Sequence, residues 1–260
     1  MHVFDGRYPL AANARRREPD ASVSDYRRLQ RRLGLERVVV VQPTAYGRDN
    51  RCTLEAIAAL GDNARGVVVV DTAVTDAELA RLTQCGVRGV RFRMLDTPEL
   101  PWEMLQEVAA RIAPFGWHVQ FQMDGRCLHE REAELRRLSS DLVIEHVGKF
   151  LEPVPPHHPG FLALLRLVDT GRCWVKLSGA YMTSLAGPPH YPDVGILAKA
   201  LARRAPERLV WGSNWPHPLP SRTAAPDDAV LLDALLDWVP DEAQRNRILS
   251  TNPAQLYGFQ

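Results

Sequence analysis

The stretch GVVVVDTAVTDAELARLTQCGVRGVRFR, Gly66–Arg93, decides the fold class. It opens with a β-branched run closed by an acid, Gly66–Asp71, and ends with a second run, Val87–Arg93, that carries alternating arginines. Between them Asp76–Cys85 has the apolar spacing of an amphipathic helix, with Thr75 placed to cap it. Apolar runs of this kind suit strands covered on both faces. Two of them joined by one helix form the crossover that parallel strands require.

Five further runs repeat the pattern on either side: Arg37–Gln42, Trp117–Met123, Leu142–His146, Cys173–Ser178 and Arg208–Ser213. Helical patterns fill the intervals at Val23–Leu33 (after a Ser22 cap), Arg51–Leu60, Trp102–Ala113, Leu128–Leu138, Gly160–Asp169, Val194–Ala205 and Asp227–Trp238, with a last helix at Asp241–Ser250. Strict alternation predicts an α/β fold. No strand leads into a GxGxxG or Walker-type loop, which favours a (β/α)8 TIM-type barrel over an open sheet. Polar residues also gather at strand ends, as a barrel mouth requires: Asp71, Arg91, Arg93, Gln122, Asp124, His146, Lys176, Ser178 and Asn214. The 260 residues suit one barrel domain over 1–260, since such a barrel takes about 250. Only the N-terminal MHVFD is left for an eighth strand, so the first strand is expected to be truncated, with its residues upstream of Met1.

The 32 basic and 31 acidic residues nearly cancel, which gives no reason to expect nucleic acid or a membrane as partner. No apolar run approaches a membrane span. Cys52, Cys85, Cys127 and Cys173 are widely spaced and read as reduced thiols of a cytoplasmic protein. The expected partner is a small anionic substrate, and a homo-oligomer is allowed for.

His2, His146, Asn214 and His217 all fall at strand ends, a pattern suited to proton transfer, metal ligation or anion binding. Arg91 and Arg93 alternate on one strand and share a side, while Arg88 has the opposite parity and reads as structural. Lys176, inside an apolar strand, needs a partner and is grouped with the substrate-binding candidates. Tyr46 and Gln122 join that group by position, and His217 either supports the site or touches the ligand. Glu145 is expected to face away from His146. His118 reads as structural, whereas His129, His157 and His158 are expected to be exposed. Arg15–Arg17 reads as solvated surface.

The ordered motifs VVVVQP with GRDNR (Val38–Pro43, Gly47–Arg51), GVRGVRF (Gly86–Phe92), GWHV (Gly116–Val119), EHVG (Glu145–Gly148), WVKLS (Trp174–Ser178), WGSNWPHP (Trp211–Pro218), PDD (Pro226–Asp228) and NPAQLY (Asn252–Tyr257) cover almost the whole chain. Together they resemble the amidohydrolase-related branch that contains the 2-pyrone-4,6-dicarboxylate lactonases. The resemblance implies a hydrolase that opens the cyclic ester of a small carboxylated substrate. It implies roles for His2 and His146 in polarising the carbonyl or moving protons, and for Arg91, Arg93 and Lys149 in holding carboxylates.

Three departures from that pattern bear on function. Asn214 stands where the family has a water-activating aspartate, and an amide is not a base. Met1 stands within the family's H-x-H, whose first histidine is absent. Lys149 and Met182 stand where arginines are favoured; a lysine keeps charge but loses the planar fork. A sugar-acid lactone cycloisomerase, or an inactive barrel that binds a carboxylated ligand, is therefore the alternative. No cofactor is expected. The wider superfamily binds divalent metals, and zinc is the variant held open, but the fifth strand end offers Gln122 and Met123 where histidine is expected, and a catalytic zinc wants three protein ligands.

Overall fold

The computed structural model describes residues 1–14, 17–96, 98–218 and 226–260. Arg15 and Arg16 of the basic run lie outside the described residues. The chain divides into two compact units, Met1–Gln120 and Phe121–Gln260.

In the first unit the helices α1 (Val23–Leu33), α2 (Arg51–Leu60), α3 (Asp76–Gln84) and α4 (Leu105–Ile112) alternate with the strands β1 (Val38–Val41), β2 (Ala64–Val68) and β3 (Val87–Arg93). The caps are the ones that the sequence offers. Ser22 Oγ accepts from the Asp25 amide while the Asp25 carboxylate accepts from the Ser22 amide at 2.9 Å. Thr75 accepts from the Glu78 amide at 3.2 Å. Each cap satisfies a donor that the first helical turn leaves open. β1 pairs with β2 and β2 with β3, both in parallel. The N-terminus adds one parallel ladder step to β1: the Met1 amine donates to Val39 O and Val41 N donates to Met1 O, both at 2.9 Å. Phe4 then bridges Ala21 in the antiparallel sense.

β4 (His118–Gln122) carries the chain from one unit to the next. The second unit holds α5 (Leu128–Arg136), β5 (Leu142–Ile144), α6 (Pro159–Val168), β6 (Cys173–Leu177), α7 (Pro192–Arg204), β7 (Leu209–Trp211), α8 (Asp228–Trp238), α9 (Glu242–Asn246) and α10 (Asn252–Tyr257). β5, β6 and β7 are parallel neighbours, and the seven strands named follow chain order in the sheet. The α/β reading therefore holds, with seven parallel strands and a single ladder residue, Met1, in place of a first strand. Val143, Trp174 and Val210 form one buried layer across β5, β6 and β7. Alternation places Glu145, Lys176 and Gly212 one step along each strand, and Ser178 and Asn214 one step further.

Most strands end one to three residues sooner than the sequence suggests, and at the end of β1 the Gln42 amide still donates to Val67 O at 2.8 Å. The Gln42 side chain donates to Gly47 O and Asp49 O at 3.0 and 2.9 Å and accepts from Thr53 at 2.6 Å. The helix expected at Asp241–Ser250 is present and runs on to Tyr257: α9 passes through a wide turn at Arg247–Thr251 into α10 with helical backbone at each junction. The wide turn precedes Pro253, which has no amide to donate. Asn252 donates to Pro206 O and Leu209 O at 2.8 and 2.7 Å and so pins the start of β7. No helix among the described residues is long and apolar enough to cross a membrane.

Two glycines let backbones touch in the second unit. A Cβ on Gly160, in the first turn of α6, would lie 2.0 Å from Gly125 O, and one on Gly125 would lie 2.3 Å from Gly148 O. Backbone atoms cannot swing aside as a flexible side chain can. Gly125→Ala and Gly160→Ala are each expected to lower stability by about 1–3 kcal/mol, the usual cost of overpacking. Urea unfolding midpoints at unchanged m-value measure it, and wild-type midpoints would show that the close approach is absent.

Candidate active site

In the first unit, two successive carbonyls at the end of β1 organise the candidates. The His2 ring is buried, and its Nδ1–H donates to Val41 O at 2.8 Å. A carbonyl can only accept, so in the neutral ring the basic lone pair sits on Nε2. Arg91 is also buried and donates from Nη1 to Gln42 O at 3.0 Å. Sequence position alone had grouped these two; the structure seats them on adjacent backbone acceptors. The other candidates of this unit are engaged elsewhere. Arg93 donates to Leu95 O at 2.7 Å and pairs with Asp96 at 3.1 Å. The Tyr46 hydroxyl accepts from the Asp5 amide at 2.7 Å and donates to Asp5 O at 3.0 Å, which ties the N-terminal segment to the turn after β1. Burial raises the Tyr46 phenol above its ordinary range.

The second unit holds the densest cluster. Just past β5 the backbone turns left-handed for four successive residues, with φ of 55° at His146, 55° at Val147, 95° at Gly148 and 52° at Lys149. A non-glycine residue pays about 1–2 kcal/mol for this region, and a β-branched valine there is an outlier. Among the described residues, seven non-glycine positions have positive φ: Asp96, His146, Val147, Lys149, Tyr191, Asn214 and His217. Four of the seven are residues that the sequence had singled out. Strain of this kind concentrates at functional sites.

The turn is anchored by Gly125 N donating to Lys149 O at 3.1 Å and Lys149 N donating to His146 O at 2.9 Å. It buries His146 with Nδ1 2.9 Å from Ser178 Oγ. Gly179 packs on the ring edge, where a Cβ would lie 2.6 Å from Nδ1. Lys149 is buried with its amine 3.5 Å from Met182 Sδ. Asn214 donates from Nδ2 to the Tyr181 hydroxyl at 2.7 Å and lies 3.7 Å from the same sulfur. Burial pushes the Tyr181 phenol well above its ordinary range, with the Asn214 amide acting against it, so Tyr181 is a neutral hydrogen-bonding group. His217 packs edge-on against Tyr181, ring centroids 5.1 Å apart, and its Nε2 is 3.2 Å from Asp228 Oδ1. The WPHP and PDD motifs thus meet. His146, Lys149, Asn214 and His217 are brought into one neighbourhood through Tyr181, Met182 and Ser178; Gln122 is buried at the end of β4.

Contrary to expectation, Glu145 does not face away from His146: its Oε1 lies 4.0 Å from His146 Nε2. Strand alternation fails there because β5 ends at Ile144 and His146 is already left-handed. The Lys176 amine, grouped with substrate contacts, lies 3.6 Å from Glu145 Oε1. In the sequence Met182 is marked only by standing where an arginine is favoured, and Asp228 only by the PDD motif. Of the other histidines, His118 is buried, with its ring against Gly89, and His158 is half-buried where full exposure was expected, its ring accepting from Gly160 N at the start of α6. No three His, Cys, Asp or Glu side chains among the described residues group to hold a metal ion. At position 214 an amide offers a neutral oxygen where a carboxylate would offer an anionic one.

Comparison with known proteins places this geometry. A family model described as Amidohydrolase matches residues 1–259. The chain is 38% identical to a D-galactarolactone isomerase of Agrobacterium fabrum, over 99% of this chain and 89% of that protein. It is 33% identical to a 2-pyrone-4,6-dicarboxylate hydrolase of Comamonas testosteroni, over 98% and 88%. The apo crystal structure of an Agrobacterium tumefaciens protein superposes with a TM-score of 0.92 at 36% identity, covering 100% of this chain and 94% of that one.

The Asn214–Tyr181 bond makes a direct prediction. Tyr181→Phe is expected to cost about 1 kcal/mol of stability, the net worth of one buried hydrogen bond, and to lower the thermal midpoint accordingly. An unchanged midpoint would remove the bond from the site.

Proposed function

The chain belongs to the amidohydrolase family, and on that premise we propose that it opens the ring ester of a small carboxylated lactone. The observation that carries the reading is the buried His146 in a strained turn, with the Lys149 ammonium and the Asn214 amide in the same neighbourhood. Ester opening needs a proton carrier with a working range near neutral pH, which is the property of imidazole. It also needs donors where the carbonyl oxygen gathers negative charge, and Lys149 and Asn214 are of that type. Asn214 holds the attacking oxygen by hydrogen bonding, and His146 takes its proton and returns it to the leaving ring oxygen. In the first unit Arg91 is the proposed holder of a substrate carboxylate, since its fork matches two oxygens, and His2 is a second imidazole for proton transfer.

The chemistry proposed is metal-independent. The frame proposed is a (β/α)8 barrel in which Met1 supplies the ladder step of the eighth strand. The free cysteines suit a cytoplasmic setting, and association with identical copies is compatible with it.

One observation favours a second reaction on the same ester. Asn214 cannot deprotonate water, so a hydroxyl of the substrate itself can be the attacking oxygen, which converts one lactone into another. A relative named as a galactarolactone isomerase accords with this. Product mass separates the two: hydrolysis adds one water to an aldaric-acid lactone, and isomerisation adds none. A mixture with neither product would sink both.

Asn214→Asp supplies a carboxylate base and is expected to raise water addition about 100-fold, within the range of a positioned general base. Equal hydrolysis in both proteins would remove position 214 from the proton transfer. Arg91→Ala is expected to weaken dicarboxylate binding by about 1.5–3 kcal/mol, as for a lost charged hydrogen bond. Calorimetric titration with unchanged affinity would reject Arg91 as the carboxylate holder.

A further inference from the structure

Beside the His146 ring lies a buried ion pair that ester opening leaves without a task. Glu145 Oε1 is 3.6 Å from Lys176 Nζ and 4.0 Å from His146 Nε2. The side chains of Glu145 and Lys176 are 3% and 11% exposed. One layer along the strands the same face is purely apolar, with Val143, Trp174 and Val210. Burying two charges there is no route to stability, because well-packed apolar residues in place of a buried pair are often neutral or stabilising. A pair held against that cost, with its carboxylate beside an imidazole, fits a role played through the imidazole.

We infer that Glu145 and Lys176 form a charge-balanced positioning pair for His146. Ser178 Oγ holds Nδ1 at 2.9 Å, and the carboxylate, at 4.0 Å and beyond hydrogen-bond reach, acts by its charge on Nε2, the nitrogen that exchanges the proton. The carboxylate favours the protonated ring, and the ammonium beside it opposes that pull. Neither residue is placed at the reacting atoms. The inference rests on His146 being the proton carrier of the lactone reaction.

The charged and titratable groups of the second unit around this ring belong to five elements. Glu145 precedes it in the chain and Lys149 ends its own turn. Lys176 comes from β6. Tyr181 lies in the turn that brings Met182 to Lys149, and Tyr257 of α10 is buried within electrostatic reach of Glu145. α7 also packs on the turn. Its Asp193 carboxylate is taken up by Ser184 Oγ at 2.5 Å and by the amides of Leu185, Ala186 and Val194.

Removing opposite charges predicts opposite shifts of the ring's titration, and the acid limb of the rate profile follows them only if the pair acts through His146. In protein with isotope-labelled histidine, the His146 resonance is identified by its loss in His146→Gln and titrated by NMR. Glu145→Gln is expected to lower the His146 midpoint by roughly one pH unit and Lys176→Met to raise it by a similar amount, the low end for a charge within 4–6 Å. The double variant is expected to return close to wild type. Glu145→Asp, which keeps the charge and draws it back, is expected to lower the midpoint by less than Glu145→Gln; it serves if a single neutral variant does not fold. Midpoints that stay put, or that move the same way in both single variants, overturn the pair. The acid limb of kcat/KM for lactone turnover is expected to follow the titration. Shifted titrations with an unmoved limb uphold the pair and reject His146 as the proton carrier.

Discussion

The left-handed turn from His146 to Lys149 is the constraint on which the second unit's chemistry depends. Two of its three non-glycine residues, His146 and Lys149, carry functional groups, and all three occupy a region that L-residues avoid. The turn persists because backbone meets backbone behind it. Gly125 donates to Lys149 O, and Gly160 at the start of α6 leaves room for Gly125 O. If β5 simply ran on, Glu145 and His146 would point to opposite faces. The turn instead folds the imidazole back over the carboxylate and sends the Lys149 amine toward Met182. Local strain, glycine packing and the placement of an acid–base group are therefore one structural fact.

The groups around that turn are graded in strength. A thioether is a weak acceptor, yet both the Lys149 ammonium and the Asn214 amide lie against the sulfur of Met182. An ester carbonyl or carboxylate oxygen is a better acceptor for either donor, so a ligand that displaces the sulfur strengthens both interactions. In the first unit the gradation is different: His2 and Arg91 are fixed by backbone carbonyls, which set ring tautomer and guanidinium direction without neutralising charge.

Period and capping made most elements legible in the sequence. α1 and α2 have the bounds that apolar spacing predicts, and Ser22 and Thr75 cap as their positions suggest. The strands were found, and β3 has the bounds expected, but most other strands stop short of their predicted ends; the Gln42 side chain turns to the Gly47–Thr53 loop while its amide stays on Val67 O. Motifs marked residues that the structure buries, His2 and Arg91 in the first unit and His146, Lys149 and Asn214 in the second. Side-chain placement was illegible where parity was extrapolated past a strand end, which misdirected Glu145 and left the partner of Lys176 unnamed. Tyr181 carries no local signal at all, since only the tertiary fold brings its hydroxyl to Asn214.

The amide at position 214 shows how such a site can change reaction without changing fold. Asn is among the few non-glycine residues that tolerate the left-handed region, and Asn214 sits there at φ 59°. An aspartate would have the same shape and could accept a hydrogen bond from the Tyr181 hydroxyl that now accepts from the amide. The phenol, buried and neutral, serves either partner by rotating one O–H bond. The Tyr181 hydroxyl therefore suits either residue, whereas Met182 Sδ, 3.7 Å from the amide nitrogen, faces a donor only in the asparagine. The two also differ in charge and in basicity: a carboxylate can take a proton, and an amide cannot. On the proposed reading the demand for a base then falls on His146, whose ring is held by its turn and by Ser178.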